Sequence, residues 1–282
     1  MAAGSSRTTE LVACNLEPSH VFHGPAKDSE TKGPSETEEH SETEEHSETE
    51  GPIDQSAADE RRLLTLMAGF MVVLPVLLQA PWVNLHPVSA CLFTGVLLAI
   101  GINLAISNSG LLSETGCLLV GLSGSWLSGC IYWGWMRAMP VWHLPIEAIA
   151  LPLALVGLTT RWRIGSAFYL ASLLGTAVTD LMILLTGVMD RWPLVVRAPI
   201  EEAPLLLHQT ALDLLHPQPL IYLLIAATLI ALLSRRMRRR ALMPLQSGHA
   251  WAIASAVLMT TVVIDGLFFL TALGQPQLSG LI

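Results

Sequence analysis

Glu147, Asp180 and Asp265 are three carboxylic acids set inside long apolar runs. An ionisable group at that depth costs roughly 2.5 to 3.5 kcal/mol on insertion scales, so a chain that keeps one has a use for it. If the helices that carry them meet, the three acids make an electronegative pocket suited to a proton relay or to a cation or amine. The plain alternative is local bonding, with Asp180 tied to Thr176 or Thr179 and Glu147 to Arg137 or His143. Histidine is the next residue type that could do chemistry. His86, His143, His208, His216 and His249 lie at the ends of apolar runs, where imidazole can ligate a transition metal, haem or the magnesium of chlorophyll. No two are spaced to put a pair of metal ligands on one helix face, so each reads as an interfacial polar side chain. No metal site and no cofactor is expected, and chlorophyll or haem is kept as a minor option.

Two short matches to protease motifs carry less. Gly121-Leu122-Ser123-Gly124 fits the GxSG pattern of rhomboid serine proteases, with His249 as a base, but the HxxxHxxxN companion is absent. Glu201-Glu202 imitates the start of a membrane CAAX-protease motif, yet Leu206 stands where Arg is needed. No catalytic residue is assigned, and the chain reads as non-enzymatic. The glycines have a simpler use. Gly121, Ser125 and Gly129 form one small-residue ridge and Ala171, Gly175 and Thr179 another, spacings that let helix backbones approach closely. Cys14, Cys91, Cys117 and Cys130 include no CxxC pair and read as packing residues, forming neither a disulfide framework nor a zinc site.

These residues need elements to hold them, and composition says which. At 52% hydrophobic and 13% charged over 282 residues, with mean hydropathy +0.53, the chain departs from soluble domains, which carry about 25% charged residues. Residues 1–62 hold 15 of the 23 acids and 5 of the 15 bases, so the formal charge of −8 describes a tail, and the remainder is slightly basic. The repeat SETEEHSETEEHSET within that tail buries too little apolar surface to order itself, and 1–58 reads as a disordered acidic arm ahead of a membrane domain over 59–282. His40 and His46 sit in that repeat without the shape of a site.

A bilayer needs about 20 apolar residues per helix, and seven runs qualify: 63–80, 88–106, 116–135, 144–160, 165–187, 218–234 and 249–273. The fold class is therefore all-α and membrane-integral, a bundle of seven helices, with six as the fallback because the fourth and sixth runs are short enough to be tilted, kinked or partly re-entrant, and the fourth holds Pro145 and Pro152. Basic residues orient it. With the N-terminus cytoplasmic, the inner flanks hold Arg61, Arg62, Arg161, Arg163, Arg235, Arg236, Arg238, Arg239 and Arg240 against Arg137, Arg191 and Arg197 outside, the bias that cytoplasmic loops carry. Trp82, Trp133, Trp135, Trp142 and Trp192 then collect at the outer boundary, and the C-terminus is periplasmic or lumenal. In this frame all three acids fall in the outer half, Asp180 and Asp265 about 10 to 12 Å below the outer ends of their helices. Residues 203–215, APLLLHQTALDLL, read as a short interfacial helix on that side.

In GSWLSGCIYWGW (124–135), LPIEAIALPLAL (144–155) and FYLASLLGTAVTDLMILLTG (168–187), the sequence resembles a cyanobacterial family of multi-pass membrane proteins known only by a domain-of-unknown-function label. The likeness covers about 63–275, and Glu147 and Asp180 are among its strongest positions. It implies a plasma or thylakoid membrane of an oxygenic phototroph and brings no activity with it. The expected function is an accessory or assembly factor of a larger membrane complex, working through its small-residue faces, with membrane lipids as partners and nucleic acid excluded. A small secondary carrier or proton-coupled permease using the three acids is the alternative.

Overall fold

The computed structural model describes residues 52–199, 201–243 and 248–274; the expected disordered arm falls on residues that lie mostly outside that range. The described residues are helical throughout their ordered elements, and seven helices are long and apolar enough to cross a membrane. The chain has the architecture of an integral membrane protein.

Helix α1 (Pro52–Leu74) starts ahead of the expected boundary at 59, with Pro52 at its first position, where a missing N–H costs nothing. It passes through a π turn, Pro75–Gln79, into the short α2 (Ala80–Leu85). Pro75 removes one donor from the ladder and a single wide turn absorbs the defect. Helices α3 (Pro87–Ala105) and α4 (Gly110–Ile131) form an antiparallel hairpin, and α4 ends in a second π turn, Tyr132–Met136. Two-thirds of the apolar window of α4 is buried, 67% against at most 28% for any other span, so α4 is the central post of the bundle. Leu118 and Leu122 of α4 meet Leu64 and Ala68 of α1, together with Phe168, Ile253, Val257 and Leu258.

The fourth span is broken where its prolines predict. A 3-10 turn over Pro140–Trp142 leads into α5 (His143–Glu147), a second 3-10 turn over Ala148–Ala150 follows, and α6 (Leu151–Gly157) completes the crossing. Pro152 sits in the first turn of α6 and cannot donate back to the Ala148 carbonyl of the preceding 3-10 turn. Tyr169 repairs the gap: its hydroxyl donates to the Glu147 carbonyl and accepts from the Ala150 amide at 3.2 Å. Expected to reach 160, the span stops at Gly157, whose carbonyl accepts from the Thr160 side chain in the following turn.

Helix α7 (Arg163–Leu185) ends before Gly187, which turns the chain with φ +75°, a conformation glycine takes without strain. A helix not foreseen in the sequence, α8 (Val188–Arg197), precedes α9 (Ala203–Asp213). Arg191 of α8 pairs with Asp213 of α9, and His208 Nδ1 donates to the Ala272 carbonyl at 2.9 Å. The segment expected as a short interfacial helix is a helix whose His208 bond ties it to the end of α11 (Gly248–Gly274), which follows α10 (Pro217–Ala241).

Small residues set the spacing. A methyl group on Gly121 would collide with the Gly165 carbonyl, and one on Gly116 with the backbone of Gly101 and Ala105, so α4 lies backbone to backbone against α7 on one side and α3 on the other. At the arginine-rich end, guanidinium groups serve as helix caps. Arg161 Nη2 donates to Ala105 O, the last carbonyl of α3, at 3.0 Å, and Arg61 Nη1 donates to Ala241 O of α10 at 3.2 Å. Such bonds satisfy carbonyls that a helix leaves open.

Candidate functional site

Two of the three predicted acids come together, and a histidine joins them. His143 and Glu147 are four residues apart on α5, hence on one face, and Asp180 approaches that face from α7. His143 Nδ1 lies 2.9 Å from Asp180 Oδ1, and its Nε2 lies 4.0 Å from Glu147 Oε1. The second distance is too long for a direct hydrogen bond and short enough for a small ring rotation to close. Glu147 is only 8% exposed; its Oε2 accepts from Ser128 Oγ of α4 at 3.1 Å. One acid–imidazole–acid series is therefore assembled from three elements, α4, α5 and α7.

Aromatic rings cover its tryptophan-rich side. The Tyr132 ring stacks on His143 with centroids 4.2 Å apart, and Trp133 stands between Tyr132 and Trp192 of α8 at 5.3 and 6.2 Å. Trp192 Nε1 donates to the Arg137 carbonyl at 3.0 Å. Arg137, weighed as a partner for Glu147, instead donates to Asn84 Oδ1 at 2.6 Å.

Asp265 is separate. It accepts from Thr179 Oγ1 at 2.7 Å on an exposed flank of α11. Thr179 and Asp180 are successive residues of α7, so their side chains point about 100° apart, and a ligand of Thr179 cannot share the pocket of Asp180. The sequence placed all three acids at one level because depth follows from counting residues, whereas the face presented depends on how α7 is rotated.

The small-residue positions face partners inside the chain. Gly121 abuts Gly165, Gly129 receives the Gln79 carboxamide, Gly175 lies against Thr261, and Ala171 is in the core. Ser125 Oγ is buried without a partner, and Thr179 holds Asp265. Neither protease-like match forms a site. Ser123 Oγ donates to the Leu119 and Val120 carbonyls of its own helix, His249 is engaged by Glu114 at 2.8 Å, and Glu201 and Glu202 are exposed in the turn before α9. The His249–Glu114 pair lines a cleft of about 170 Å³ at the arginine-rich end with Ser113, Cys117, Arg161 and Arg163. No group of three metal-ligating side chains occurs among the described residues.

Sequence reasoning named His143 as a partner for Glu147 but not its bond to Asp180, and it passed over Ser128 and Tyr169. For His143 the signal was present in the i, i+4 spacing to Glu147. Ser128 and Tyr169 carried none, since a serine or tyrosine in an apolar helix bonds its own backbone as readily as a neighbour.

Residues 68–273 match the model of a family described as Protein of unknown function (DUF3120). The chain belongs to this family. The matched region runs from α1 to α11 and contains His143, Glu147, Asp180 and Asp265, so the acid–imidazole series is part of the family domain, while residues 1–67, the whole acidic arm included, lie ahead of it. No curated protein and no solved structure matches the chain.

Proposed function

We propose that this protein is a small secondary carrier that couples proton movement to a cationic solute at Glu147, His143 and Asp180. The observation that carries the reading is the placement of His143 between two carboxylates at the broken fourth span. Discontinuous helices are the elements from which carriers build midplane sites. With a neutral imidazole and both acids ionised the series holds two negative charges, and each added proton removes one. A buried charge is expensive, so the number of protons held is coupled to whether a cation is present, and that coupling is the basis of exchange. Ser128 positions Glu147, Tyr169 holds the break open, and Tyr132 orients the imidazole.

The assembly-factor reading drew on small-residue faces, and those faces are occupied within the chain, which supports it less. For orientation, the arginine bias supports a cytoplasmic N-terminus, with the acid series in the outer half of a cyanobacterial plasma or thylakoid membrane, the context that the family resemblance implies.

The test is reconstitution into liposomes enclosing a pH dye, challenged with inorganic cations and primary amines. A solute-driven internal pH change with wild type, abolished by Glu147→Gln and by Asp180→Asn at equal protein content and retained by Asp265→Asn, is the expected result. Wild-type vesicles that respond to every solute as protein-free vesicles do would overturn the proposal.

A further inference from the structure

The cleft at the arginine-rich end of the bundle has chemistry of the opposite sign. Arg161, Arg163 and His249 line it, with one acid, Glu114, among the described residues. Its volume of about 170 Å³ far exceeds the ~10–15 Å³ needed to hold a single water, so it has room for an ion or a headgroup. Three helices begin there. Ser113 and Glu114 lie in the opening turns of α4, Arg163 and Ile164 are the first two residues of α7, and His249 and Ala250 follow the first residue of α11. A helix start presents N–H groups without intrahelical partners and the positive end of its dipole, so three of them raise the potential in the same space that the arginines border.

The cationic groups are also held in place. Arg161 Nη2 donates to the Ala105 carbonyl at 3.0 Å, its guanidinium lies 4.9 Å from the Trp162 ring centroid, and its own carbonyl accepts from Cys117 Sγ at 3.6 Å. The Ala105 bond engages one of the five N–H donors that a guanidinium carries. His249 Nδ1 lies 2.8 Å from Glu114 Oε2, so the imidazole already takes an anionic partner in this cleft. An orienting bias asks only that arginines stand on one side of the membrane; it does not ask that two of them gather with a histidine around an opening between helix starts.

We propose that this cleft binds a phosphate group, free or carried on a lipid headgroup, with Arg161, Arg163 and His249 as its donors. Phosphate fits because a guanidinium fork matches its oxygens and helix starts favour the same charge. Basic pockets between membrane helices are also where anionic headgroups bind. The cleft shares no residue with Glu147, His143 and Asp180, so the site stands whether or not those residues move protons.

The full chain, delipidated in a neutral maltoside detergent, is dialysed to equilibrium against radiolabelled inorganic phosphate at physiological ionic strength. One saturable site per chain is expected. Arg161→Gln should weaken it about tenfold or more, the loss of a charge-assisted bond, while the Ala105 carbonyl keeps its bond from Ser113 Oγ at 2.9 Å. Glu114→Gln should instead tighten it about threefold or more, because the acid lining the cleft is gone and the imidazole is released to the ligand. A variant that merely folds badly cannot bind more tightly. Arg238→Gln, in the last turn of α10 and outside the cleft, should leave binding unchanged. Displacement of the label by dihexanoyl phosphatidylglycerol at far lower concentration than by glycerol phosphate would assign the phosphate to a lipid, and equal potency would assign it to a free ligand. Absence of saturable binding by wild type, binding that Arg161→Gln leaves unaltered or that Arg238→Gln lowers as much, or weaker binding by Glu114→Gln would each overturn the proposal.

Discussion

At the scale of single residues, the glycines of α3 and α4 discriminate between contact and vacancy. Gly121 has the Gly165 backbone where a side chain would begin, whereas Gly95 has nothing within 4 Å. Gly121→Ala should force α4 and α7 apart and lower stability by about 1 to 3 kcal/mol, the usual cost of overpacking, read as a lower unfolding midpoint in detergent. Gly95→Ala should leave the midpoint unchanged or raise it slightly, because alanine is the better helix former. Asp265 gives a comparable contrast at a polar site. Its one described partner is Thr179 on an exposed flank, so Asp265→Asn should preserve both fold and pH response, where Glu147→Gln removes the response.

At the scale of elements, the broken fourth span is where the bundle departs from plain helix packing. Tyr169 alone supplies two bonds to the interrupted backbone, and neither has water to replace it in hydrocarbon. Tyr169→Phe should therefore destabilise by about 1 to 3 kcal/mol per orphaned group and also weaken any function that depends on Glu147, measurable as a lower midpoint with a weaker pH response. The Arg191–Asp213 pair between α8 and α9 is about half exposed on both sides, so Arg191→Ala should shift the midpoint by less than about 1 kcal/mol. Sequence reasoning saw the break, because two prolines in a short apolar run leave little choice. It did not see α8, which is too short to be a span and carries Pro193 in its interior, although its charged and aliphatic residues segregate to opposite faces. Nor could it see that α9 docks on α11, since that depends on one His208 bond to a carbonyl far along the chain.

At the scale of the whole molecule, hydropathy made all seven spans legible, because a bilayer demands long apolar runs and tolerates few alternatives. Which faces meet was not legible. Rotation of each helix about its axis is decided by close approaches such as Gly121 to Gly165 and Gly116 to Gly101, and a ridge of small residues looks the same whether it faces a neighbour in the same chain or another protein. The family match begins at residue 68, so removal of residues 1–51 should leave the unfolding midpoint and the vesicle pH response as they are, a comparison that needs only the shortened chain beside the full one.

The guanidinium caps have a consequence for manipulating this protein. Topology is commonly probed by moving positive charge from one side of a membrane protein to the other, on the assumption that arginine acts only through its sign. Here Arg61 caps the Ala241 carbonyl of α10, and Arg161 shares the Ala105 carbonyl of α3 with Ser113 Oγ, so neutralising either one removes a capping bond from a neighbouring helix at the same moment as it weakens the orienting signal. A charge-reversal series would then report misfolding as misorientation. Lysine at both positions separates the two, since it keeps the charge and surrenders the planar fork: an unchanged orientation with a lowered midpoint would assign the bonds to structure and the charge to direction.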